Sequence, residues 1–347
     1  MAAPVRRELP GKKRRWRFAL FVAVAVGGIG LLASAGGSTL SESLGTFGHI
    51  HWFWLLIAVV AEAGSMAAFA RSQRRLLRAG GSDVHLTSMM AVTYAGNAIS
   101  VSLPLAGAEV ATGYAFREFR RRGVDPAVAS WALAVSGIFS SFAFAIVLAA
   151  GALVSGSAVA AALGLVAAVV SLIPTFAVLA ALRYRTARRL LNRLMAWLVR
   201  LSRRLFNRPA PEAEDALERL LERIAQLSLP RLQYAEVLAL AIWNWVADCF
   251  CLAAAIRATG SHIPWQGLLL AYGAGMTAGS IGLTPGGLGI IEAALAAALV
   301  TAGITGHHAL AAVLVYRLVS FWLVMAAGWA VMGLLARRRE PEPAVIS

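Results

Sequence analysis

The sequence predicts an all-α polytopic membrane protein: six spanning helices and two broken, re-entrant helical hairpins, or eight membrane helices if the hairpins cross fully. Three observations carry that expectation. The 347 residues are 59% apolar and only 14% charged, against about a quarter charged in a water-soluble domain. Mean hydropathy is +0.70. The charges gather into clusters separated by apolar runs of 18 residues or more, enough to cross ~30 Å of hydrocarbon at ~1.5 Å per residue. These features exclude a soluble enzyme, and also a transmembrane β-barrel, whose strands alternate over about ten residues.

Taken in order, the spans are Phe18 to Ala35, Trp52 to Ala70, Ala127 to Ala150, Ala158 to Leu182, Ala235 to Ile256 and Ala309 to Leu335. Two regions are apolar but interrupted: Leu86 to Phe119 at Pro104, and Trp265 to Ala302 at Pro285. Proline inside an apolar helical run ends or kinks it. The second arm of the later region, Leu288 to Ala302, reaches only ~22 Å as a helix, so each region reads as a hairpin that returns to the side it enters. Phe18 to Ala35 has a rival reading as a secretory signal, because Ala33-Ser34-Ala35 follows a basic stretch and an apolar run.

The arginines and lysines test that arrangement independently. Short cytoplasmic loops collect basic residues. Clusters lie at Arg6 to Arg17, Arg71 to Arg78, Arg117 to Arg122, Arg183 to Arg231 and Arg337 to Arg339, and together they hold 30 of the 32 basic residues. All five fall on one side if both hairpins return, which makes both termini cytoplasmic and places the protein in the cell membrane. The net charge of +15 therefore reflects topology, and no nucleic-acid partner is expected. Arg257 sits at a helix end and Arg317 lies deep in the last span.

The chain then divides into a basic tail (1–17), a first membrane half (18–182, holding the extra span 18–35, a repeat unit 52–150 and the span 158–182), a cytoplasmic insert (183–231), a second membrane half (232–336) and a basic tail (337–347). Within the insert, Leu190, Leu194, Trp197, Leu198, Leu201 and Leu205 form one stripe among arginines. The stretch Arg183 to Arg208 is thus expected to lie on an anionic leaflet. Glu212 to Leu227 reads as an acidic amphipathic helix. The insert carries no phosphate-binding loop, nucleophile elbow or metal-spaced Cys/His set, so neither an enzyme activity nor a cofactor or metal is expected.

The units 52–150 and 235–335 each read as span, broken hairpin, span, in opposite orientations, since the first ends at a basic cluster and the second begins beside one. Ser102-Leu103-Pro104-Leu105-Ala106-Gly107-Ala108-Glu109 parallels Leu283-Thr284-Pro285-Gly286-Gly287-Leu288-Gly289-Ile290-Ile291-Glu292. Each has a proline, then glycine, then a glutamate in the next arm. Inverted repeats with discontinuous helices mark many secondary transporters, with substrate held at the breaks near the midplane.

Thr284 to Glu292, with Gly303-Ile304 and Tyr316-Arg317-Leu318, resembles the signature of the flippase-like membrane domain of lysylphosphatidylglycerol synthase-flippases and the stand-alone proteins related to it. Pro104, Gly107 and Glu109 fit its first half. The family often has an arginine soon after that glutamate, where this chain has Ala111 and Thr112, and a charged pair in the next span, where it has Ser136-Gly137-Ile138. The resemblance implies lipid translocation without ATP. It does not imply lipid lysylation, because the soluble aminoacyl-transferring domain is absent from this sequence.

Ionisable groups at bilayer depth are costly, and they default to functional candidates. Here they are Glu62, Glu109, Asp248, Glu292 and Arg317. Arg317 with Glu292 reads either as a structural pair or as part of a headgroup site. The run Pro285, Gly286, Gly287 and Gly289 bares backbone at a helix start, where a phosphate could sit. Asn97 and Asn244 are expected to tie helices together, and Cys249 and Cys251 to pack in the core. The expected activity is translocation of a phospholipid or polyprenyl-type lipid through a polar cavity between the hairpins. The alternative is a non-catalytic partner that presents lipid to a separate glycosyltransferase or synthase.

Overall fold

The computed structural model describes residues 50–156, 158–173, 176 and 231–337, except 281 and 283. The first span, the cytoplasmic insert and both tails of the sequence reading lie outside these residues, as does most of the end of the span at 158–182. Among the described residues every regular element is helical: α1 Trp52–Ala79, α2 Leu86–Ser102, α3 Gly107–Arg121, α4 Pro126–Val154, α5 Ala158–Ser171, α6 Arg231–Ala258, α7 Trp265–Gly279, α8 Ile290–Thr301 and α9 Gly306–Arg337. Four of them (α1, α4, most of α6 and α9) are long and apolar enough to cross a membrane. The hairpin arms are shorter, with 17 and 15 residues in α2 and α3 and 15 and 12 in α7 and α8. At ~1.5 Å per residue none exceeds about 26 Å.

Local signals explain the ends. Asp125 caps α4 by accepting from the Ala127 amide at 2.8 Å, with Pro126 in the first turn, where its missing N–H costs nothing. At the end of α1, Gly80 and Ser82 return amide bonds to Leu76 and Leu77 across Gly81, whose φ is 84°, a left-handed helix stop. The helix therefore runs nine residues beyond Ala70, because helicity continues through the arginines after the apolar composition ends.

Packing fixes where the hairpins begin and end. Leu76 and Leu77 at the end of α1, Met89 near the start of α2, Phe119 near the end of α3, and Val128 at the start of α4 share one buried cluster. Both outer ends of the α2–α3 hairpin thus sit at the same end of the bundle. At the other end, Ala258 of α6, Leu268 of α7, Leu299 of α8 and Ala309 of α9 join Ala58 of α1 in a second cluster, and the His51 amide donates to Ala258 O at 3.0 Å. The α7–α8 hairpin therefore starts and finishes opposite the first. Without a hydrophobic drive between helices in lipid, small residues allow the close approach that dispersion needs. Gly328 of α9 lies against the Tyr94 carbonyl of α2, where a Cβ would overlap it, and Gly273 of α7 is filled by Leu148 of α4 in the same way.

Candidate functional site

The second break is a tight turn that glycine makes accessible. Thr284 is extended, Pro285 starts a single 3-10 turn through Gly287, and Gly286, Gly287 and Gly289 take φ of 57°, 68° and 82°. L side chains rarely adopt that region. A Cβ on Gly286 would strike the Phe321 ring, and one on Gly287 would lie 2.6 Å from Ile291 Cδ1. Thr284 Oγ1 donates to Leu288 O at 2.8 Å and closes the loop.

Glu292 and Arg317 hold this turn. The Gly289 amide donates to Glu292 Oε2 at 2.6 Å, so the carboxyl caps the helix it belongs to. Arg317 Nε donates to Glu292 Oε1 at 2.6 Å, and Nη2 donates to Gly286 O at 2.7 Å. The guanidinium also lies 4.4 Å from the centre of the Phe321 ring. The two side chains are 3% and 8% exposed, so the pair is sealed from solvent and lipid alike.

The first break is built differently. Leu105 has a φ of 58°, uncommon for a non-glycine residue, and its side chain is 72% exposed. A Cβ on Gly107 would run into Ser100 O, so the two arms meet closely there. Pro104 is exposed in the turn, and Glu109 is exposed in the first turn of α3. The two breaks touch: the Leu105 amide donates to Gly282 O at 2.9 Å. Pro104, Gly107, Pro285, Gly286, Gly287, Gly289, Glu292 and Arg317 thus collect around one junction. Glu109 stays outside the buried pair.

Glu62 and Asp248 form a second polar centre. The carboxyl of Glu62 on α1 is in hydrogen-bonding contact with that of Asp248 on α6. Asp248 Oδ2 accepts from the Tyr272 hydroxyl of α7 at 2.7 Å, and Oδ1 from the Tyr316 hydroxyl of α9 at 2.9 Å. Ser320 hydrogen-bonds to Tyr316 from the π-helical segment Leu318–Leu323, a local helix widening found mostly at functional positions. Nearby, Asn244 Nδ2 of α6 donates to Ser65 O and Oγ of α1 at 3.0 and 2.8 Å, and Asn97 Nδ2 of α2 approaches Met66 Sδ at 3.7 Å. Cys249 and Cys251 are buried free thiols in the core.

Sequence reasoning did not find Tyr272 or Ser320, and it met Tyr316 only as part of the family signature, without a role. The available signal was a tyrosine hydroxyl in an apolar run, which must find a partner when buried. Among the described residues no three His, Cys, Asp or Glu side chains form a metal-binding group. The rings of His307 and His308 lie with their centres 4.2 Å apart, tilted at 46° to each other.

The family described as the lysylphosphatidylglycerol synthase TM region matches residues 18–328. A curated relative, a UPF0104 membrane protein of Methanothermobacter thermautotrophicus (strain Delta H), is 27% identical over 128 residues. That stretch covers 34% of this chain and 38% of the relative.

Proposed function

The chain belongs to the family of lysylphosphatidylglycerol synthase transmembrane regions, and from that premise we propose that it translocates a phospholipid or polyprenyl-type lipid across the cell membrane without ATP, as a carrier and not as an enzyme. Membership makes it a membrane protein with a lipid-related role. The finer reading rests on one observation, the contact between Leu105 N–H and Gly282 O. It joins the tips of two hairpins whose outer ends lie at opposite ends of the bundle.

A headgroup that crosses unaided must take its phosphate charge through hydrocarbon. Irregular backbone at membrane depth is tolerated only where protein or a water-filled cavity surrounds it, and two breaks that meet supply such a place. In this reading the units 52–150 and 235–335 form an inverted repeat and rock about the junction, so each tip faces a different leaflet in turn. The end that carries Arg71 to Arg78 and Arg117 to Arg122 is cytoplasmic by its basic charge.

The junction suggests different duties for its parts. Glu292 already fills the positive end of α8, and Arg317 is committed to Glu292, Gly286 and Phe321, so this pair keeps the turn in shape. Glu109 is exposed beside the first break and is free to meet a cationic part of the headgroup. The test is movement of a labelled phospholipid in liposomes that contain only this protein. Wild type should speed it, and Glu109→Gln, which removes an exposed charge without disturbing packing, should slow it. Lipid binding without movement would replace this reading with that of a partner presenting lipid to a glycosyltransferase or synthase.

A further inference from the structure

A cavity of about 300 Å³ lies between α1, α2 and α9. It runs along α9 from Val319 to Val331, a length of ~18 Å at ~1.5 Å per residue. Its walls are aliphatic except for Tyr94 and Glu62. Glu62 is only 6% exposed, and its Oε2 has no hydrogen-bond partner among the described residues. A buried carboxyl that lacks a partner at one oxygen thus belongs to a residue of an otherwise apolar wall.

The same carboxyl meets Asp248. An ionised carboxylate only accepts hydrogen bonds, so a bond between two carboxyls needs a proton on one of them. Both oxygens of Asp248 already accept from tyrosine hydroxyls. Asp248 is therefore the acceptor and Glu62 the donor. Around Glu62 stand Asp248 and Cys251 of α6, Tyr316 of α9 and Tyr94 of α2, while Tyr272 of α7 and the Arg317 charge act on Asp248. The sequence of α4, which also packs on α1, contains no titratable side chain.

We propose that Glu62 is a proton-carrying carboxyl, which gives its proton to, and takes it back from, water that reaches it by the cavity it lines, and couples that exchange to lipid movement. The inference rests on the translocator reading above. Loss of the proton sets two carboxylates against each other where a hydrogen bond had been, and the arrangement of α1, α6 and α9 must change. α9 has the means to pass that change on. Tyr316 reads Asp248, and its neighbour Arg317 holds Glu292 and the Gly286 turn. The π-helical segment that follows them, which includes Ser320, gives the helix room to shift.

Two measurements on the full chain in liposomes test this. The apolar reagent dicyclohexylcarbodiimide adds to carboxyls that carry a proton in apolar surroundings, and peptide mass mapping locates the adduct. Glu62 should be labelled, Asp248 should not, labelling should fall as pH rises, and Glu62→Gln should abolish it. The side-chain amide of that variant can still donate to Asp248, so it should remain folded, as checked by its thermal transition. The second measurement is the ratio of labelled-phospholipid rates with and without an imposed pH gradient, which should be several-fold in wild type and one in Glu62→Gln. Failure to label Glu62, or lipid movement that ignores the gradient, overturns the coupling alone. Absence of lipid movement under every condition overturns the translocator reading, and the coupling falls with it.

Discussion

Replacing Arg317 should damage the fold more than replacing Glu292, and the structure gives the reason. With Arg317→Gln, Glu292 keeps only the Gly289 amide, at 2.6 Å, and its carboxylate stays sealed at 3% exposure. Removing one partner of a buried pair typically costs about 3–5 kcal/mol, and the upper half applies here because the Gly286 carbonyl and the Phe321 ring lose their partner too. With Glu292→Gln, the guanidinium keeps both of those contacts, and the neutral amide oxygen can still accept from Arg317. A cost of about 2–3 kcal/mol follows, the loss of one charge-assisted hydrogen bond and its Coulomb term. The double mutant leaves no uncompensated charge, so it should recover about 2 kcal/mol of the summed loss. Thermal or denaturant unfolding of the four proteins in one detergent supplies the cycle. Additive losses, or a larger cost at Glu292 than at Arg317, would refute the assignment of Arg317 as the group that holds the turn.

Three further outcomes follow from the same contacts. Gly287→Val places a branched side chain at φ 68° with its Cβ 2.6 Å from Ile291 Cδ1; it should cost at least the ~1–3 kcal/mol of such strain, read as a lower unfolding temperature. In a variant lacking Cys249 and Cys251, cysteines placed at His85 and Gly306 should react with an impermeant thiol reagent from opposite sides of the membrane, and reaction from one side would break the proposed orientation. Arg78 donates to Asp83 at 2.7 and 3.1 Å and holds its carboxyl below the usual carboxylate range. A depressed carboxyl contributes order that is present above its ordinary range and lost as pH falls through the lowered value. Amide exchange in the 80–85 loop should therefore rise in acid in wild type, with a flatter profile in Asp83→Asn.

The sequence made some of this legible and hid the rest for identifiable reasons. Long apolar runs between arginine clusters located α1, α4, α6 and α9, and Pro285-Gly286-Gly287 located the second turn because no other residue pair fits two successive positive φ values there. Composition marks the apolar span of α1 but not the helix end, since hydropathy falls at Arg71 while the helix continues to Ala79. Glu62 and Asp248 were each visible as costly intramembrane acids, but nothing local indicates that they meet. The tyrosines that complete the cluster lie 24 and 68 residues from Asp248, and only tertiary packing brings them together. The π-helical segment after Arg317 left no pattern in the sequence, because Leu318 to Leu323 is as apolar as its neighbours.

The parallel between Glu109 and Glu292 suggests two equivalent half-sites, and the structure shows why they are not equivalent. Glu292 is buried because an arginine 25 residues later reaches it. The first half has Ala111 and Thr112 where the family often has a basic residue, so Glu109 lacks such a partner close by in sequence, and a carboxylate left to itself remains where it can be solvated. Glu62 is instead buried against Asp248, whose oxygens accept from two tyrosine hydroxyls, and not against an arginine. A carboxyl beside arginine is balanced by an opposite charge, whereas two carboxyls in hydrogen-bonding contact need a proton between them. That difference in partner gives the two buried centres their separate roles: Glu292 keeps a turn in shape, and Glu62 is free to change state.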